Sequence, residues 1–357
     1  MANSSDKALI AAARGQRPVR TPVWFLRQAG RYLPEYMKIR ANIEFVDLCK
    51  SPKLVAEVTM QPLRRYDLDA AIIFSDILIP CTAMGQDLTF DKGHGPVLSQ
   101  PIRTGADLKR LRHPDCEREL GYVGDGIRAT TAQLSPHHTM IGFAGAPFTV
   151  ASYMIEGRGS KTYTEVKRLR YNDTTTLSGL LDLLADVTTD YLLMQVKAGA
   201  ECLMLFDTWA GQMTAADYRE FVFPATAKVM AAVRANTSVP LIYYPGQGLD
   251  LYYELSGLPA YVIAVDWRMR LSRAISVLRS EGLNVSVQGN LDPQAMIASE
   301  SELRARTRAI LTDGRAARGH IFNVGHGLLP HTPPEAPAWV VDEIRVFDEI
   351  RRTDRNG

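Results

Sequence analysis

Two arginines, Arg27 and Arg31, stand four residues apart just behind the apolar run Val23-Trp24-Phe25-Leu26. A guanidinium stays positive throughout the physiological range, and its planar fork suits carboxylate or phosphate. If the chain turns helically after Arg27, both groups point to one side. From Arg14 to Arg40 the chain carries seven cations (Arg14, Arg17, Arg20, Arg27, Arg31, Lys38, Arg40) against one acid, Glu35. The whole chain has a formal net charge of only +2, so the concentration is local. An anionic small molecule is the natural guest. Arg14, Arg17 and Arg20 read as solvated surface charges, since exposed ions contribute little. Arg27, at the end of an apolar run, reads as functional.

Four further side chains could do chemistry. Asp76 lies within Phe74-Ser75-Asp76-Ile77-Leu78-Ile79, and a carboxylate in so apolar a run must find donors or neutralise. His326 stands between Gly325 and Gly327, which expose the ring and free the backbone. Tyr153 follows the break at Gly145-Ala146-Pro147, and Thr208 follows Asp207. Asp207 and Asp266 read as structural loop starters. The motifs that are missing matter as well. There is no P-loop lysine, no H-E-x-x-H and no Gly-x-Ser-x-Gly. The cysteines, Cys49, Cys81, Cys116 and Cys202, form no C-x-x-C pair. No metal site is expected. The set suits proton transfer on an anion without a cofactor.

The elements that would hold these residues are legible as apolar runs. Strands are expected at Val23–Leu26, Ala70–Asp76, Met140–Ala144, Cys202–Asp207, Pro240–Tyr244, Tyr261–Trp267, Val285–Gly289 and Ile321–His326. Runs without polar alternation indicate strands buried on both faces of a parallel sheet. Helices are expected between them: from a Ser5 cap to Arg14, from a Ser51 cap with Pro62 kinking or ending the helix, from Tyr163 to Ala198, and from Pro334 to Arg351. Eight strand–helix units in 357 residues favour an α/β fold, a single (β/α)8 TIM barrel. A hairpin is expected as an insertion after strand two, between Pro80 and Thr104. The chain reads as one domain, 1–357, with its core at about 20–350. In such a barrel the chemistry sits at the C-terminal strand ends. Those ends carry Arg27, Asp76, Asp207 with Thr208, Asp266 and His326. The near-neutral charge argues against nucleic acid, and no run reaches the roughly 20 apolar residues of a membrane span. The N-terminus has no signal-peptide pattern, so a cytoplasmic protein is expected.

Several motifs resemble the uroporphyrinogen decarboxylase family. The longest is Phe25-Leu26-Arg27-Gln28-Ala29-Gly30-Arg31-Tyr32-Leu33-Pro34-Glu35-Tyr36. Others are Phe74-Ser75-Asp76-Ile77, Gly145-Ala146-Pro147-Phe148-Thr149, Tyr153-Met154-Ile155-Glu156-Gly157, Gln288-Gly289-Asn290-Leu291-Asp292-Pro293 and Phe322-Asn323-Val324-Gly325-His326-Gly327. The likeness implies a cofactor-free decarboxylase of haem biosynthesis, working as a homodimer. It would convert four acetate side chains of uroporphyrinogen III to methyls, giving coproporphyrinogen III. By matching motif, the substrate-binding residues implied are Arg27, Gln28, Ala29, Gly30, Arg31, Asp76, Tyr153, Thr208 and His326. The catalytic pair implied is Asp76 with Arg27. Thr208 stands where some members have Ser, and Tyr243-Tyr244-Pro245-Gly246-Gln247-Gly248 lacks a lysine that many members carry.

The chemistry fits those residues. A pyrrole acetate loses carbon dioxide most easily once the ring is protonated on carbon, and the resulting cation needs an anion beside it. Asp76 would be that anion, kept ionised by Arg27 and Arg31 against the effect of burial. The proton donor stays open between Arg27, a weak acid, and His326. Two other readings are a barrel methyltransferase for corrinoid or thiol substrates, which needs zinc ligands, and a tetrapyrrole carrier, which has no need of Asp76.

Overall fold

The structure, a computed structural model, describes residues 7–91 and 95–356. Seven parallel strands form one sheet in chain order: β1 (Ala70–Ile72), β4 (Thr139–Gly145), β5 (Cys202–Phe206), β6 (Leu241–Tyr244), β7 (Val262–Ala264), β8 (Ser286–Gln288) and β9 (His320–Ile321). Parallel neighbours need long crossovers, and helices supply them. Between β1 and β4 lies a separate antiparallel pair, β2 (Leu88–Asp91) and β3 (Gly95–Leu98).

Both faces of the sheet are buried, which is why the strands read as unbroken apolar runs. Successive side chains go to opposite faces. Leu203, Leu205, Leu241, Tyr243, Ile263 and Val287 belong to the core shared with the long helix Thr174–Lys197. Their neighbours Cys202, Met204, Ile242, Tyr244, Val262 and Ala264 belong to a second core, with Trp24, Phe25 and Phe322. In that second core the Trp24 indole N–H donates to Gln288 Oε1 at 3.0 Å.

The segment Pro22–Trp24 ties the two edges of the sheet together, so the sheet is curled. Val23 O accepts from Asp69 N–H (2.8 Å) beside β1. On its other side, Phe322 N–H donates to Pro22 O (2.8 Å) and Val23 bridges Phe322 in parallel. The expected first strand is thus a single bridging residue, because Arg27 turns the chain away almost at once.

Other expectations need adjustment. Ser51 precedes the helix Pro52–Arg65, but its side chain makes no cap bond. Pro62 neither ends nor shortens that helix much: it runs on to Arg65, within the last turn. The helix expected from Tyr163 to Ala198 is two, Thr164–Asn172 and Thr174–Lys197. Asp173 separates them and caps the second through Thr176 N–H at 3.1 Å. The Ser5 cap lies outside the described residues. No helix of the described residues is long and apolar enough to cross a membrane.

Candidate active site

Arg27 has φ +61°, in the left-handed region. A non-glycine residue there costs about 1 kcal/mol, so its surroundings must hold it. Both flanks are pinned. Leu26 N–H donates to Asn323 Oδ1 (2.9 Å), and Leu26 O accepts from Leu328 N–H (2.8 Å). On the other side, Phe25 N–H donates to Gln28 Oε1 (3.1 Å) and Gln28 N–H to Phe25 O (2.9 Å). The Arg27 side chain is exposed and passes over Gly327. A Cβ on Gly327 would collide with Arg27 Cγ, Cδ and Nε, so glycine here makes room for the arginine.

Residues 26–32 form turns, and the next helix starts only at Pro34. The two arginines therefore do not share a helical face. Arg27 acts electrostatically on Asp76, Tyr153 and His326. Arg31, also exposed, acts on Tyr36 instead. Gln28 is buried and both ends of its amide are engaged, Nε2 donating to Ala70 O at 3.0 Å and Oε1 accepting from Phe25 N–H. Ala29 and Gly30 are half-buried in the turn.

Asp76 stands past the C-terminal end of β1 and accepts from Leu78 N–H at 2.8 Å. Part of its surface stays open, as it does for Phe74, Ser75 and Ile77, yet protein crowds the carboxyl. Burial pushes its pKa above the ordinary carboxylate value, while the Leu78 N–H and the Arg27 charge pull it down. The balance is upward. This corrects the expectation that two arginines would outweigh burial: only Arg27 acts on this carboxyl, and desolvation is the larger effect.

His326 follows β9, half-buried, with its ring 6.3 Å from that of Tyr244. Gly327 N–H donates to His326 Nδ1 at 2.8 Å, so the single proton of the neutral ring sits on Nε2. Burial pushes its pKa down to about 4, and the charges of Arg27 and Arg268 push the same way. At neutral pH His326 is an uncharged donor.

Tyr153 projects from the helix Pro147–Glu156, which starts with Pro147 directly after β4. Its ring lies 6.1 Å from Trp209. Burial raises its pKa; a Trp209 hydrogen bond lowers it, Asp76 raises it and Arg27 lowers it. Those last two influences put Tyr153, Asp76 and Arg27 within one electrostatic neighbourhood.

Thr208 is half-buried beside Asp207, which is fully buried. Asp207 accepts from Thr149 Oγ1 (2.8 Å) and Tyr243 OH (3.0 Å), and burial still pushes its pKa up to about 6. Thr149 Oγ1 in turn accepts from Trp209 N–H at 3.1 Å, fixing the loop that carries Thr208. Asp266 is equally buried and holds Arg268 through the backbone N–H (2.9 Å) and Nη1 (3.0 Å). Both acids thus position loops. Three contributors escaped the sequence reading: Trp209, Tyr244 and Arg268. Trp209 and Arg268 stand two residues after a strand-end acid or its neighbour, a signal of place but not of role. Among the described residues, no group of three or more His, Cys, Asp or Glu could hold a metal ion.

Residues 4–347 match the family model described as uroporphyrinogen decarboxylase (URO-D). The chain belongs to this family. A uroporphyrinogen decarboxylase of Syntrophotalea carbinolica is 43% identical over 94% of this chain and 96% of its own length. One of Streptomyces griseus subsp. griseus is 46% identical over 93% and 89%. Among solved structures, a methyltransferase from Methanosarcina mazei superposes with a TM-score of 0.81 at 18% identity, over 95% of this chain and 98% of its own. That likeness shows the fold alone.

Proposed function

We propose that this chain decarboxylates uroporphyrinogen in tetrapyrrole biosynthesis, as its membership of the uroporphyrinogen decarboxylase family implies. The finer reading is that all four acetates of uroporphyrinogen III become methyls, giving coproporphyrinogen III. Each step takes up one proton: –CH2–COO⁻ plus H⁺ gives –CH3 plus CO2. The observation that carries this reading is Arg27, held at φ +61° and drawn across Gly327 toward Asp76 and His326.

The residues then take distinct roles. Pyrrole N–H groups donate to Asp76, which favours its ionised form and offsets the upward pull of burial. The anion then stabilises the ring cation formed when carbon is protonated. Arg27 lies beside the reacting acetate, and Arg31 holds a side-chain carboxylate at the rim. His326, neutral, donates from Nε2 rather than delivering a proton as a cation. Tyr153 and Thr208 add a hydroxyl each, and the Ala29–Gly30 turn lines the opening.

We further infer that Pro22–Trp24 is the eighth stave of a (β/α)8 barrel forming one domain, with the β2–β3 pair as its inserted hairpin. A homodimer in the cytoplasm completes the reading, since a large substrate handled through several intermediates gains from an enclosed cleft. Chromatography of porphyrinogen products, with chelator present and no cofactor added, tests the function. Strict dependence on a metal or organic cofactor would overturn it. Sedimentation showing only monomer at micromolar concentration would remove the dimer.

A further inference from the structure

The opposite end of the sheet, where the strands begin, holds a cavity of about 260 Å3. Four arginines line it, Arg17, Arg315, Arg318 and Arg351, and no acid among the described residues does. Three of the four guanidinium groups are held by neutral groups alone. Arg318 donates to the carbonyl oxygens of Asn284 and Arg14, both at 3.3 Å. Its side chain lies over Gly15, at φ +79°, where any Cβ would collide with Arg318 Nε. Arg17 donates to Arg315 O at 3.1 Å. The Arg315 guanidinium lies 4.7 Å from the centre of the Phe347 ring. Arg351 alone has a carboxylate, Asp348 at 3.5 Å, and that group already accepts from Thr21 N–H and Thr21 Oγ1. Among the described residues, Arg17, Arg315 and Arg318 have no carboxylate partner.

Three fixed charges of one sign around a hollow repel each other unless a counter-charge sits among them. A concave wall focuses their field further. Arginines contributed by several different segments of the chain suit a multiply charged anion better than a single carboxylate. We propose that this cavity binds a small polyvalent oxyanion of the phosphate type, one per chain, separately from the decarboxylation site. The bound anion would tie together the N-terminal arm (Arg17), the turn at Arg315–Arg318 and the helix Ala336–Asn356 (Arg351). Because the ligand binds only the folded arrangement, it stabilises the fold by mass action.

Isothermal titration with inorganic pyrophosphate, at ionic strength matched with sodium chloride, tests this. It is made on the wild-type chain and on Arg31→Gln, because pyrophosphate also suits the arginines of the other site. One site per chain should remain in Arg31→Gln. Arg315→Gln should weaken that site by roughly 10-fold or more, the scale of one charge-assisted contact, while uroporphyrinogen turnover stays unchanged. Arg318→Lys, which keeps the charge but loses the fork, should weaken it less. Undiminished binding in Arg315→Gln, loss of all binding in Arg31→Gln, or equal heat from chloride alone would each overturn the proposal. If Arg315→Gln does not fold by circular dichroism, undiminished binding in Arg318→Lys decides against the fork geometry.

Discussion

Arginines collect at both ends of the sheet, and the cluster around Asp69 uses them in the opposite way to Arg27 and Arg31. At the N-terminal end, Arg20 and Arg345 close on Asp69, at 2.7 and 3.0 Å, and on Asp67, at 3.3 and 3.0 Å. Asp69 is buried and also accepts from Val23 N–H at 2.8 Å, so this cluster fastens the Pro22–Trp24 segment to β1. At the C-terminal end, Arg27 and Arg31 stand exposed, with no carboxylate in ion-pair contact among the described residues. Asp76 faces Arg27 there without closing on it. Satisfied charges build a frame; unsatisfied ones leave room for a charged guest. The difference teaches that arginine count alone does not find a site.

That contrast yields substitutions that should separate function from stability. The largest effect is expected from Arg27→Gln, which should lower kcat/KM by at least roughly 100-fold, the scale of one lost electrostatic stabiliser. Steady-state kinetics with a urea unfolding curve would check it, and the midpoint should hardly move. Asp69→Ala should do the reverse. It breaks a buried charge cluster and should cost about 3 kcal/mol of stability, read from the urea midpoint, while turnover per folded molecule stays near wild type. A normal midpoint for Asp69→Ala would erase the contrast.

Smaller effects sharpen the comparison. Arg31→Ala should raise KM, and the loss should shrink at high salt as Coulomb attraction is screened. An unchanged KM at low salt would remove Arg31 from the rim. His326 should titrate near about 4 by NMR, and in Arg27→Gln its pKa should rise without reaching the ordinary imidazole value, because burial remains. The sign for stability follows. The unfolded chain takes up the proton first, so this group makes the fold lose stability as pH falls from the ordinary imidazole range towards about 4.

Much of this was legible beforehand, for physical reasons. The sheet betrayed itself because both its faces are buried, so Cys202–Phe206 and Leu241–Tyr244 could only be strands of that kind. Asp76 and His326 stood out as polar residues where apolar runs stop. What escaped notice depends on tertiary contact. Nothing in the order of residues says that Arg27 is left-handed, since it is held by the Leu26 N–H donating to Asn323 and by Leu328 N–H donating to Leu26 O. Gly327 read as a way to free the His326 backbone, but its missing Cβ serves Arg27. The pKa of Asp76 lies above the expected one because desolvation is a property of the surroundings, which the sequence does not list. Arg17, read as a surface charge, is exposed as expected, but it shares a cavity with Arg315 and Arg318 only in the folded chain.

The central claim is that the Asp76 carboxylate stabilises the ring cation on which loss of carbon dioxide depends. Turnover of uroporphyrinogen by Asp76→Asn at saturating substrate tests it most directly, with products separated by chromatography. Asparagine keeps the size but loses the charge. Burial holds the wild-type carboxyl up, so the folded chain keeps a proton that the unfolded chain gives up. The wild type therefore loses stability as pH rises above the ordinary carboxylate range, and Asp76→Asn escapes that loss. The account predicts a variant at least as stable as wild type at neutral pH, with turnover lower by at least roughly 100-fold. A stable Asp76→Asn that makes coproporphyrinogen at a near wild-type rate would contradict it.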